Sequence, residues 1–279
     1  MAISVLGPTA IQSMRPKGFN RLELEPGNTI RAETKPKSLD PSQHPSICNA
    51  LSGATADTCD LIPGGSNYTF LVNLSMPEHG EARGIYKPQK GEAPLWDFPL
   101  GTLYKREYAA YLISEVLGWY FVPPTVIWDG PYGIGSLQLF IKNDASITYF
   151  ELRDAHPQDV KRIATFDLLV NNTDRKGGHC IRDLGGKIWG IDHGLTFNVE
   201  PKLRTVIWDF GGESISSCIL NPLERELAIY HSGEGLSRKL EGVLSDEEID
   251  LLAIRITPVI ENPVFPTLKG RWEVPWPLV

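Results

Sequence analysis

A polar stretch, NNTDRKGGH from Asn171 to His179, separates two runs that read as core, RIATFDLLV before it and KIWGIDHG after it. An Asp, an Arg, a Lys, two Gly and a His are costly to bury without partners. The fold must therefore bring two core-forming segments together around an opening at which polar groups meet solvent or ligand.

The flanking sequence says what surrounds that opening. HPQDVKRIATFDLLVNN reads as a helix opened by Pro157 and acids, and KIWGIDHG as a short buried strand. The clearest helix is TLYKREYAAYLISEVLGW, where Leu103, Tyr104, Tyr108, Tyr111, Leu112 and Leu117 recur at helical spacing and Gly118 falls where a C-cap belongs. LIPGGSNYTFLVNL reads as a hairpin turning at Gly64, Gly65, Ser66 and Asn67. EARGIYKPQ adds a strand, and TVIWDGPYGIGSLQLFI two more around a Gly/Pro turn. SDEEIDLLAIRITPVIE has the acidic first turn of a helix capped by Ser245, and RWEVPWPLV reads as an extended tail. The first 60 residues, rich in Pro, Ser, Thr and Asn with little periodicity, read as an extended or partly disordered arm. A strand-rich part over 61–141 and a more helical part over 142–279 follow.

Composition narrows the class. The chain has 279 residues, 42% of them hydrophobic, enough for a substantial core. Its net charge of -7 and scattered Lys and Arg argue against a nucleic-acid partner held by a basic face. No run approaches the ~20 apolar residues of a membrane span, and the start lacks a secretory signal pattern. Cys48, Cys59, Cys180 and Cys218 form no CxxC pair, so zinc is disfavoured and reduced thiols in a cytoplasmic protein are expected.

Phosphoryl transfer from ATP needs a lysine on phosphate, a backbone turn over the phosphates, ligands for Mg²⁺ and an Asp to orient the acceptor hydroxyl. Those parts occur here in workable order. Gly64, Gly65, Ser66 and Asn67 supply the turn, and Lys87 follows on the next strand in GIYKP. Glu107 lies in the first turns of the next helix, Asp174 in the polar loop, and Asp192 near a strand end before His193 and Gly194.

Together GIYKP, REYAAYLISEVLG, NNTDRKGGH and GIDHG resemble the phosphatidylinositol 3-/4-kinase-like superfamily. The likeness is greatest to its small bacterial phosphatidylinositol-kinase-related members, with the type II phosphatidylinositol 4-kinases and HipA-type kinases further off. It runs from about Leu61 to Gly212. The resemblance implies an α+β, two-lobed protein-kinase-like fold, with ATP and Mg²⁺ or Mn²⁺ bound between the lobes. It implies that Lys87 holds phosphate and Glu107 pairs with it, that Asp174 is the catalytic-loop aspartate, and that Asp192 binds metal. Gln138, Phe140 and Ile141 would form the hinge that meets adenine. Relatives carry Asn five residues after the catalytic Asp, as second metal ligand; here that residue is His179. Imidazole suits Mn²⁺ better than Mg²⁺.

The implied activity is transfer of the γ-phosphate to a hydroxyl of a protein, small molecule or lipid. A nucleotide-binding pseudokinase and an AMP transferase on the same scaffold are the alternatives. Around the site, Arg175 and Lys176 either neutralise phosphate or solvate the loop, as do Lys202 and Arg204 further on. Glu115 reads as an exposed acid, His193 as structural, and the tryptophans, Trp96, Trp119, Trp189 and Trp208 among them, as packing anchors.

Overall fold

A computed structural model describes residues 38–279. Asp40 caps a short 3-10 turn, Pro41–Gln43, which leads into helix α1, His44–Ser52. Pro45 stands in the first turn, where its missing N–H has no helical partner to lose. His44, Ile47, Ala50 and Leu51 are buried. Strand β1, Thr55–Ile62, follows directly. The arm expected over residues 1–60 is thus helix and strand from Pro41 onward, while residues 1–37 lie outside the described part. Two properties hid these elements. The buried stripe of α1 is short and sits among Pro and Ser. Strand β1 is an edge strand with no buried residue, so TADTCDLI carries no alternation.

The first lobe is a five-stranded antiparallel sheet of order β1-β2-β3-β5-β4, with β2 at Thr69–Met76, β3 at Gly80–Pro88, β4 at Thr125–Gly130 and β5 at Gly133–Leu139. Phe70, Val72, Leu74, Tyr86, Val126, Trp128 and Leu137 form one core with Ile47 and Leu51 of α1. Side chains alternate along a strand, so Lys87 leaves β3 on the face opposite Tyr86. Gly135 pairs with Pro88, and an added Cβ there would lie 2.7 Å from the Pro88 Cα. That position has room only for glycine.

Helix α2, Leu103–Val116, ends ahead of Gly118, which takes a left-handed φ of 68°. Both lobes anchor it. His44 Nδ1 lies 2.7 Å from Glu115 Oε1, so Glu115 is a partner of α1 and not the free surface acid its sequence suggested. Arg106, 1% exposed, donates to the Thr196 carbonyl at 2.7 Å and to Glu248 at 2.5 Å. Glu248 belongs to α7, Asp246–Glu261, and also closes a capping box with Ser245.

The second lobe contains α3 (Tyr149–Ala155), α4 (Pro157–Val170), the hairpin β6 (Cys180–Arg182) and β7 (Ile188–Gly190), α5 (Ser217–Ile229), α6 (Gly235–Leu240) and α7. Phe166, Leu169, Ile219, Leu223, Leu252 and Ile256 lie in one core that also takes in Ala109, Ala110 and Ile113 of α2. The architecture is α+β and two-lobed. Trp119, Trp128 and Trp189 are buried as anchors, but Trp96 is 91% exposed, against the expectation for it. No helix among the described residues is long and apolar enough to cross a membrane.

Replacing Arg106 by Met strands the Glu248 carboxylate, and a loss of about 3–5 kcal/mol is expected in urea denaturation. His44→Ala removes a buried hydrogen bond and is expected to cost about 1–3 kcal/mol in the same measurement.

Candidate active site

Strand β3, helix α2 and the chain beyond β7 deliver three charged groups to one point. The Lys87 ammonium contacts Glu107 Oε1 and lies 2.6 Å from Asp192 Oδ1. The second oxygen of Glu107 accepts the His193 backbone N–H at 2.8 Å, which binds α2 to the residue after Asp192. Asp192 takes a left-handed φ of 59°, a conformation that Asp adopts more readily than most residues. Burial works against the Lys87 charge, yet Asp192 and Glu107 outweigh it and hold its pKa above the ordinary value. Reciprocally, the Lys87 ammonium holds Asp192 far below the usual carboxylate range.

His179 closes the other side of Asp192, with Nε2 3.3 Å from Oδ2. Burial pushes its pKa down to about 4, so the ring is neutral at pH 7. Its Nδ1 accepts the Lys176 backbone N–H at 3.4 Å. A neutral imidazole that accepts at Nδ1 carries its proton on Nε2, so the His179 Nε2–H is the group on the side of Asp192. That tautomer has no lone pair at Nε2 for a metal, and the expected ligand role does not fit the arrangement. Asp192 fits better, since its half-exposed carboxylate can hold a hard cation that keeps waters and phosphate oxygens as its other ligands. Among the described residues no group of three or more His, Cys, Asp or Glu side chains could hold a metal ion.

The polar stretch that opens the question is mostly packed. Asn171, Asn172, Thr173 and Arg175 are buried, and only Asp174, Lys176, Gly178 and His179 reach partway to solvent. Arg175, fully buried, grips both oxygens of Asp167 on α4, donates to the Ile191 carbonyl at 3.0 Å and lies 2.7 Å from His193 Nε2. It neither faces phosphate nor solvates the loop, contrary to both readings of the sequence. His193 packs edge-on against Phe121 and Phe166, a structural place. Asp174 is fixed by its N–H to Asn172 Oδ1 at 3.0 Å and by Lys176 Nζ at 2.9 Å. Burial raises its pKa, the Lys176 ammonium opposes this, and the nearby Asp192 carboxylate adds to the rise.

Other expected positions fare differently. Gly64, Gly65 and Ser66 form an exposed turn, but the Asn67 side chain is used internally, accepting the Ala93 N–H at 2.7 Å. Gln138 lies within β5 and donates to Thr125 Oγ1 at 2.9 Å, and the Phe140 N–H bonds the Arg83 carbonyl at 2.9 Å. These bonds engage the Gln138 amide nitrogen and the Phe140 N–H, not the Phe140 carbonyl. Lys202 and Arg204 are not a solvated pair: Lys202 contacts Asp97, and Arg204 donates to the Trp272 carbonyl at 3.2 Å. Arg106, Asp167 and His44 were passed over, although an acid inside the apolar run ATFDLLV signals a buried partner.

No family model matches the chain. It is 38% identical over 251 residues to Protein Rv2133c of Mycobacterium tuberculosis (strain ATCC 25618 / H37Rv), covering 77% of this chain and 89% of that protein. It is 30% identical over 145 residues to phosphatidylinositol 4-kinase gamma 4 of Oryza sativa subsp. japonica, covering 45% of this chain and 26% of that larger kinase. The Golgi casein kinase has a similar fold, with a TM-score of 0.53 at 13% identity over 80% of this chain and 75% of that one. Its structure with Mn/ADP bound gives 0.52 at 14% identity, over 85% and 79%. The chain has a kinase-like fold and belongs to the family of the mycobacterial Protein Rv2133c, within the phosphatidylinositol 3-/4-kinase-like superfamily.

Proposed function

We propose that the chain is an ATP-dependent phosphotransferase that moves the γ-phosphate to a hydroxyl. The observation that carries this reading is Lys87 held between Glu107 and Asp192, with Asp174 close enough to Asp192 for their charges to interact. Lys87, kept charged by its two carboxylates, meets phosphate oxygens, and Glu107 fixes its direction. Asp192 holds a divalent cation, which neutralises phosphate charge when bound. Asp174 accepts the hydroxyl proton as the acceptor oxygen bonds to the γ-phosphorus and the bond to the β–γ bridging oxygen breaks, releasing ADP. The exposed turn at Gly64, Gly65 and Ser66 covers the phosphates with its N–H groups, and the chain through Gln138, Phe140 and Ile141 is the hinge that meets adenine. The neutral His179 ring lies beside the Asp192 carboxylate and supports it electrostatically. The fold neighbour solved with Mn/ADP supports a nucleotide and a divalent ion.

A second reading, nucleotide binding without turnover, is favoured by one feature, the histidine where an oxygen ligand belongs. The two separate on ADP formation.

With γ-labelled ATP and Mg²⁺ or Mn²⁺, Asp174→Ala and Asp192→Ala are each expected to lower transfer by at least about 10³-fold with the fold intact. Retained transfer in either variant sinks the assignment. His179→Asn offers the cation an amide oxygen and is expected to raise Mg²⁺-supported transfer relative to Mn²⁺; an unchanged ratio would show that position 179 does not reach the cation.

A further inference from the structure

A cleft of about 420 Å³ opens between the loop before α2 and the segment after Asp192. Trp96, Phe98 and Pro99 form one wall, and Asn198, Glu200 and Lys202 lie on the other. Asp97 and Lys202 neutralise each other across it, and Asn198 Nδ2 donates to the Asp97 carbonyl at 3.0 Å, so the two walls are joined. Two groups remain open to a ligand. The Trp96 indole is 91% exposed, and among the described residues the exposed Glu200 carboxylate has no hydrogen-bond or ion-pair partner. Lys202 Nζ lies 4.9 Å from the Trp96 ring centroid, so this indole already receives one cation and offers its remaining surface to another.

The cleft is bound to the loop that carries Asp174. Asn171 Nδ2 donates to the carbonyls of Asn198 at 2.8 Å and Glu200 at 2.7 Å, and Asn171 Oδ1 accepts the Lys202 N–H at 2.9 Å. Asp174 lies three positions after Asn171, at most about 11 Å of chain. An extended peptide with its hydroxyl at Asp174 covers a comparable distance in about three residues.

We infer that this cleft is the acceptor subsite and takes a peptide with an arginine about three residues from the phosphorylated Ser or Thr. The guanidinium stacks on Trp96 and pairs with Glu200, while Phe98 and Pro99 take its apolar stem. A polyanionic acceptor meets its own sign here and is repelled, since the unpaired charge of the cleft is Glu200, on a chain of net charge -7. The inference rests on the phosphotransferase reading. The serine oxygen bonds to the γ-phosphorus, its proton goes to Asp174, and ADP leaves.

Two measurements on the full chain keep the inference and the reading it rests on apart. The first is fluorescence anisotropy with dye-labelled serine peptides that carry Arg, Ala or Glu at that spacing. Binding of the Arg peptide at least about tenfold tighter than the Glu peptide is expected, with a loss of about that size in Glu200→Gln and in Trp96→Ala. Equal binding of the peptides, or unchanged binding in both variants, overturns the subsite. The second is transfer from γ-labelled ATP with Mn²⁺ to the same peptides and to phosphatidylinositol vesicles. Transfer that ignores the arginine, or that prefers the vesicles, also overturns it. Selective binding with no transfer to any acceptor leaves the subsite standing and removes the phosphotransferase instead.

Discussion

The Arg175 guanidinium is the group on which the rest of the site depends. A fully buried charge is tolerated only with complete pairing, and every partner of Arg175 is a part that has to be placed. Asp167 fixes it to α4, the Ile191 carbonyl and the His193 ring fix the chain on both sides of Asp192, and its own N–H takes the Arg204 carbonyl at 3.0 Å. This one residue, by side chain and backbone, thereby sets the spacing between the helix ahead of the loop, Asp192 and the segment at Arg204.

Legibility followed the range of the interactions. Helix α2, the strands and the capped helix after Ser245 were readable because their signals are local: apolar spacing, a glycine at the end, a capping box. Lys87, Glu107, Asp174 and Asp192 were readable because each sits at a local landmark, a strand, a first helical turn, a polar loop or a Gly-flanked strand end. The Arg106–Glu248 pair joins residues 142 positions apart, and nothing in either neighbourhood announces the other. The polarity of NNTDRKGGH was taken as exposure, whereas most of it is a satisfied buried network, a distinction that requires knowing the partners. Strand β1 failed for the opposite reason, since an edge strand with no buried side has no pattern to display.

His179 shows how a second contact can change a chemical assignment. Position and residue type suggested a metal ligand. The donor facing its Nδ1 places the ring proton on Nε2, the atom nearest Asp192.

Helix α2 is held by His44 from one lobe and by Glu248 and the Thr196 carbonyl from the other. The Lys87–Glu107 pair is therefore made in the resting protein. A site whose competent state is already dominant binds with its intrinsic affinity, with no fraction of molecules waiting to convert. Control of such a site has to work by loosening an anchor. The buried histidine of α1, 148 positions before Asp192, is then as much a setting of the Lys87–Glu107 pair's population as any residue beside it.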